Sequence, residues 1–521
     1  MWGAMPVMLA GLSLNALAQD DDRNDPAYTW DYDPDSDAEI QVDVGFETEW
    51  HEYDNLDFRS LDESSDQAIL DSDDRGSLFY TGVTLDGAYE PADDLALVFG
   101  MSHRGLWGND QFGSSNAYGG LIFFHNMYVD AAASTDGDNP VRFRIGRQYF
   151  ELGGLGGGRE YILKDNLDML RIDVPLGDRF NLTVIPMNVL STSNVDDGNN
   201  FISLLGQSSS TDTFNFRGDR LTQRYGGVLS ASDLGPLGGA LYYFYTNVGA
   251  RGTGADISYE GLLGNFSDED YLHNAGLRAN VAAGPGTFFA HVDVSSGIDR
   301  KELVAHDVDT NGLAYGAGML LETGDDDKGF EAELSYFDAL GPAYSKENGL
   351  QTSHGYVGMK ASQMGGTISN RLMGWHPSAY AGTYGVNDTP HEQARKSGSR
   401  VIHASAEGDL GRVELGLGWW TMQDTGVTFF SLPKLDETTL PFGYSRGEVR
   451  AQERLGAMLG HEINLDVDFE ATDAITVYAN GATLLAGEFY GIEVARVAGT
   501  ALGSKNPKNP WAFYLGTEVD F

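Results

Sequence analysis

Five arginines stand close together in a chain that is otherwise strongly acidic. Arg142, Arg144, Arg147, Arg159 and Arg171 all fall within residues 141–179. A guanidinium stays charged at any physiological pH, and its planar fork of donors matches a carboxylate or phosphate two bonds at a time. From Arg142 to Arg224 there are ten basic and ten acidic residues, whereas the whole chain carries a formal charge of −44. The negative excess therefore lies outside this segment. Such a cluster can set the selectivity of a passage, or it can pair with nearby carboxylates such as Asp173, and the two uses are compatible.

The elements that position these arginines alternate in polarity. Val141, Phe143 and Ile145 interleave with Arg142 and Arg144, so a strand places the arginines on one face and the apolar residues on the other. Arg171 faces the same way from the next strand. Arg147, Arg159 and Lys164 are assigned to the intervening loop, with the glycine run Gly153–Gly158 expected to let that loop fold sharply inward. The same rhythm closes the chain. Trp511, Phe513, Leu515, Thr517, Val519 and Phe521 are nearly all apolar, and Ala512, Tyr514, Gly516, Glu518 and Asp520 are small, aromatic or acidic.

Between these points one unit repeats: strand, tight turn, strand, long polar loop. Tight turns are expected at Pro175–Asp178, Leu234–Leu237, Ala283–Gly286, Gly324–Lys328, Met364–Gly366, Asp409–Gly411 and Thr472–Ala474, on their Gly, Pro and Asp content. Strict alternation of short and long connections marks a membrane barrel with short periplasmic turns and long extracellular loops. The expected fold is all-β: a single closed antiparallel transmembrane barrel over 39–521, of about 20 strands, with 18 also compatible. A basic side chain turned to lipid costs about 2–4 kcal/mol at the midplane and an acid less; by analogy a charge there is costly enough that Asp466 and Asp468 fix the lumen side of their strand. Trp50, Tyr89, Trp107, Tyr128, Trp375, Tyr490 and Trp511 are candidates for the interfacial aromatic girdles.

Composition narrows the function classes. The charge repels nucleic acid, and the absence of cysteine excludes disulfides. Residues 1–18 read as a signal peptide, whole or truncated at its start, ending in Ala16-Leu17-Ala18. Residues 19–38 read as an acidic tail; Asp31, Asp33, Asp35 and Asp37 lack the Gly and Glu of a calcium loop. His391-Glu392 and His461-Glu462 lack the second histidine of a zinc protease motif, and the glycine run lacks a phosphate-loop ending. No catalytic residue, metal ligand or cofactor is assigned, and the chain is not read as an enzyme. By alternation Asp293, Glu331, Glu333, Glu407, Glu414, Asp466 and Asp468 face the lumen, against few inward bases: Arg278, Lys360 and Arg371.

The sequence Arg144-Ile-Gly-Arg147-Gln148, followed by a glycine-rich loop and a strand with an inward arginine, resembles the alginate-export family of outer-membrane porins. The resemblance implies a passive outer-membrane channel for an anionic polysaccharide, with Arg142, Arg144, Arg147, Arg159 and Arg171 touching the polyanion. The closing strand resembles those of bacterial outer-membrane barrels generally. That likeness implies lipid and lipopolysaccharide as surroundings, and recognition by the barrel-assembly machinery. The alternative is a general or solute-specific uptake porin. A barrel enzyme and a secreted all-β adhesive protein are the remaining rivals.

Overall fold

The structure is a computed structural model. It describes residues 40–54, 76–92, 94–106, 119–133, 140–152, 160, 162–192, 221–247, 271–299, 308–324, 329–340, 352–353, 355–356, 359, 365–372, 399–425, 458–472, 474–487 and 509–520. The expected signal peptide, the acidic tail, Arg159, Lys360, Trp107, Trp375, Tyr490 and Phe521 lie outside the described residues.

Nineteen strands occur among the described residues: β1 (Ile40–Asp54), β2 (Gly76–Ala92), β3 (Leu95–Leu106), β4 (Gly119–Ala133), β5 (Val141–Glu151), β6 (Lys164–Pro175), β7 (Phe180–Thr192), β8 (Leu221–Leu234), β9 (Leu237–Asn247), β10 (Tyr271–Ala283), β11 (Gly286–Asp299), β12 (Val308–Thr323), β13 (Phe330–Ala339), β14 (Thr352–Ser353), β15 (Ser399–Asp409), β16 (Val413–Asp424), β17 (Met458–Thr472), β18 (Ile475–Ala486) and β19 (Trp511–Asp520). All but β14 pair antiparallel with their neighbours, and β1 pairs with both β2 and β19. The sheet thus closes on itself. Closure is what lets a sheet cross hydrocarbon, because every backbone N–H and C=O finds a partner.

The exterior is apolar. Phe46, Val83, Leu97, Met127, Ile145, Leu241, Leu277, Val292, Leu334, Leu417, Leu465 and Leu515 are large and exposed, one on each of twelve strands. Their alternates point inward and are polar, small or aromatic, among them Asp130, Asp293, Glu462 and Tyr514, all buried. A soluble sheet would bury the first set. This one turns it outward all round, which makes the chain a bilayer-spanning barrel of the bacterial outer-membrane type.

Of the expected counts, about 20 strands with 18 also compatible, the closed sheet has eighteen spanning strands. The expected hairpin around Met364-Gly365-Gly366 is not in the wall, because β13 pairs directly with β15 from Phe330↔Gly408 to Asp338↔Arg400. Among the described residues of this connection, Tyr356, Met359 and the turn at 367–372 lie inside the barrel instead, while β14 joins the sheet beside β12. β14 pairs in parallel with β12 at Asp309↔Thr352. Tyr356, Met359 and Ile368 are buried among lumen-facing apolar side chains. Residues 367–372 form one π-helical turn. Gly365 has φ +102°, and a Cβ there or on Gly366 would collide with Ser369 or Asn464. The glycines permit close approach to the wall, not a hairpin. Where hairpins do occur the chemistry is as expected: Gly235 and Gly284, at φ +76° and +64°, each precede a proline in a two-residue turn.

Candidate functional site

Two inward-facing walls and two inward-folded connections shape the lumen. The first wall is β4–β6. Arg142 and Arg144 point inward from β5 and share one carboxylate on β4: Arg142 Nε lies 3.3 Å from Asp130 Oδ1, and Arg144 Nε 2.8 Å from Asp130 Oδ2. Arg171 stands directly across from Arg144, so the two cations repel. Arg171 turns to Asp173 Oδ2 at 2.8 Å and lies over the Phe150 ring. Arg144 lies 5.6 Å from the centroid of Tyr128. Tyr128 therefore faces the lumen, which removes it from the aromatic girdle. Among these five side chains, three guanidiniums against Asp130 and Asp173 leave one surplus positive charge.

The remaining arginines behave differently. Arg147 is on β5 itself, not on the connecting loop, and shares the outward face of Phe143 and Ile145, which are exposed. It grips Asp168 bidentately, at 3.1 and 2.9 Å, on the exterior. Arg147 is thus withdrawn from the pore-lining set by the strand's period of two. Lys164 is likewise the first residue of β6. Arg159 lies outside the described residues.

Half-way round the eighteen spanning strands from β5 and β6 stand β15 and β16. Their inward side chains near the short turns are acidic, as are those of the neighbouring strands. Glu331 faces Glu407, Asp409 faces Glu414, and Glu414 faces Asp468 in register. Like charges directly opposite one another are destabilising, so a wall of this kind is tolerated where water reaches it. Among the described residues no group of His, Asp and Glu is placed to hold a metal ion.

Above these walls the lumen is filled. The connection between β5 and β6 turns inward, burying Leu152, Ile162 and Leu163. Glu160 accepts the N–H groups of Ile162 and Leu163 at 2.6 and 3.1 Å. It also pairs with Arg278 of β10 at 2.7 Å. Arg278 lies near Asp293 of β11, which accepts from the Tyr242 hydroxyl and pairs with His291. Burial pushes the Glu160 carboxyl above the ordinary range, against the pull of Arg278 and His291. In the second connection, between β13 and β15, residues 367–369 are clamped by β17 and β18. Glu462 accepts from the N–H of Ile368 at 2.7 Å, from the N–H of Ser369 at 2.9 Å and from the Ser369 hydroxyl. Asn464 accepts from Thr367 N–H at 3.2 Å, and Asn480 from the Thr367 hydroxyl at 3.0 Å.

Alternation alone turns Arg278 and Asp293 inward and gives neither a role. In the sequence Glu462 stands out only beside His461, as half of a motif. Alternation separates those two: His461 faces out toward Trp419 and Thr421, and Glu462 faces in. Glu160 carried no periodic signal, since it follows a glycine run.

No family model matches the chain, so the alginate-export resemblance of residues 144–148 gains no support there. No curated relative matches it either. Solved structures similar to it include OccAB1 of Acinetobacter baumannii, at 9% identity and TM-score 0.47, covering 92% of this chain and 97% of that one. OccAB4 of the same organism gives 9% and 0.46, covering 94% and 100%. The outer membrane protein OprD from Pseudomonas aeruginosa gives 9% and 0.43, covering 93% of each chain.

Proposed function

We propose that this barrel is a passive, solute-selective diffusion channel for small hydrophilic molecules, with selection in the short-turn half of its lumen. The observation that carries this reading is the pairing of the lumen arginines. Arg142 and Arg144 divide Asp130 between them, and Arg171 is held by Asp173. A conduit for a polyanion needs a ladder of cations that the polymer can neutralise. Here one surplus positive charge faces a wall of carboxylates across the water. That arrangement orients a small polar solute and repels a long uronate chain.

The two inward connections support the same reading, since they leave less room than an open barrel of eighteen strands, and a narrow lumen favours monomers over polymers. Bilayer conductance tests it. The expected result is weak cation selectivity, current unaffected by uronate oligomers, and a further shift toward cations in Arg144→Ala/Arg171→Ala. Block by uronate oligomers that disappears in the double variant would restore the polysaccharide-export reading. Hydrolysis of lipid or peptide by the purified barrel would overturn both.

A further inference from the structure

One place on the exterior breaks the apolar belt with a continuous polar row. Tyr315 of β12, Asp338 of β13, Arg400 of β15 and Gln423 of β16 stand directly opposite one another in register, across four adjacent strands. All four share the outward parity of their strands: Leu334, four residues from Asp338, and Leu417 and Trp419, six and four from Gln423, are exposed to lipid, as is Tyr315 itself. Asp338 Oδ2 accepts from Arg400 Nε at 2.8 Å and Nη2 at 2.7 Å, from Tyr336 at 2.8 Å and from Tyr315 at 3.2 Å. Arg400 Nη1 donates to Gln423 Oε1 at 3.2 Å.

The row has a definite height. Asp338 is one residue from the end of β13 and Arg400 one from the start of β15, both at the long-loop rim. The next outward row toward the midplane is Ala317, Tyr336, Ile402, Thr421 and His461, and the one after is Met319, Leu334, Ala404, Trp419 and Ile463. Polarity therefore falls from ionic to mixed to apolar within two steps. That gradient locates the headgroup level of the outer leaflet, where a guanidinium is tolerated and aromatic side chains gather.

The chemistry of the row selects what meets it. Asp338 is fully buried beneath its donors, while Arg400 stays 40% exposed. A guanidinium has five N–H donors, and the contacts above use three. A forked donor held rigid at a lipid interface suits a phosphate oxygen pair. Asp338 Oδ1 is buried and has no hydrogen-bond partner among the described residues, so the exposed Arg400 fork alone is open to a ligand. We infer that Arg400, steadied by Asp338, Tyr336 and Gln423, is a docking site for the phosphorylated sugar of an outer-leaflet glycolipid. A second copy of the chain is the other occupant such a face could take. The large apolar residues continue round the barrel on both sides of the row, so no protein face is set apart there.

The test uses the full barrel in mixed micelles with bisphosphorylated lipid A, or with the same lipid stripped of phosphate. Lipid retained per barrel is read by native mass spectrometry after a mild wash. Wild type is expected to retain the phosphorylated form, Arg400→Ala to lose about tenfold, and Arg400→Lys to fall between, because it keeps the charge without the fork. Conductance should be unchanged in both variants, since Arg400 is outside the lumen. Heat-dependent gel mobility checks folding, and Arg400→Lys decides the matter if the alanine variant does not fold. Equal retention by wild type and the folded variants, or equal retention of the phosphate-free lipid, overturns the site. So does a switch from oligomer to monomer in Arg400→Ala with lipid retention intact, which would assign the row to a protomer contact.

Discussion

The two halves of the lumen solve the same problem in opposite ways. Near the short turns, charged side chains face each other across water: Arg142, Arg144 and Arg171 on one side, Glu331, Glu407, Glu414 and Asp468 on the other. Near the long loops the space is packed with Phe150, Leu152, Ile162, Leu163, Phe244, Phe337, Tyr356, Ile368, Trp420, Met422 and Tyr514 as one apolar cluster. The charges that remain there, such as Glu160 with Arg278 and Glu462 with the Ile368–Ser369 backbone, are buried and bonded. Water relieves charge repulsion in the first half. In the second half nothing but a well-placed partner can. A substitution should therefore act through selectivity in the wet half and through stability in the dry half.

The largest effect is expected from Arg278→Ala. It strands Glu160 and Asp293 without their cation, and breaking a buried pair costs about 3–5 kcal/mol. Thermal unfolding followed on a semi-native gel should move down clearly; an unmoved transition would mean that water already fills this region. Glu462→Ala comes next. It leaves the Ile368 and Ser369 N–H groups without their acceptor, at about 1–3 kcal/mol for a buried donor. Release of this connection from the wall should raise single-channel conductance and current noise, as bilayer recording would show. Gly365→Ala should act in the same direction, by forcing a Cβ into Ser369 at a positive φ.

In the wet half, Asp130→Ala is expected to lower the thermal transition less than Arg278→Ala does, because Arg142 and Arg144 keep partial contact with water although Asp130 itself is buried. It should displace the reversal potential toward anions, as two guanidiniums lose their shared carboxylate. The smallest effect belongs to Arg147→Ala. Its ion pair with Asp168 is half exposed on the exterior, so conductance, selectivity and thermal transition should stay as in wild type. A change in selectivity there would return Arg147 to the lumen and undo the facing assigned to β5.

Much of the barrel was legible because lipid imposes a strict rule. A spanning strand must be apolar on one face, so Val141, Phe143 and Ile145 assign Arg142 and Arg144 to the lumen without further information. The rule weakened at the strand ends. Arg147 was read as loop because polar residues are tolerated on both faces there. It failed around Met364-Gly365-Gly366, where Tyr356, Met359 and Ile368 supply apolar spacing but pack into the lumen. Apolar residues packed inside a barrel and apolar residues facing lipid look alike in one dimension. Met364-Gly365-Gly366 has the composition of a turn for the same reason that it allows close packing.

The sequence by itself determined that the chain alternates, where the hairpins of the wall reverse, and which side is wet on strands such as β5, β16 and β17, since period and turn chemistry are local. It also determined that one segment concentrates basic charge in an acidic protein. Only the tertiary structure decided which carboxylate each arginine meets. Asp130 lies 12 and 14 residues from its two partners, Glu160 lies 118 from Arg278, and Glu462 lies 93 from Ser369. Those meetings depend on register, closure and the path of two inward connections. A pore's selectivity rests on the charges left over after such pairing, and that remainder exists only once the chain is folded.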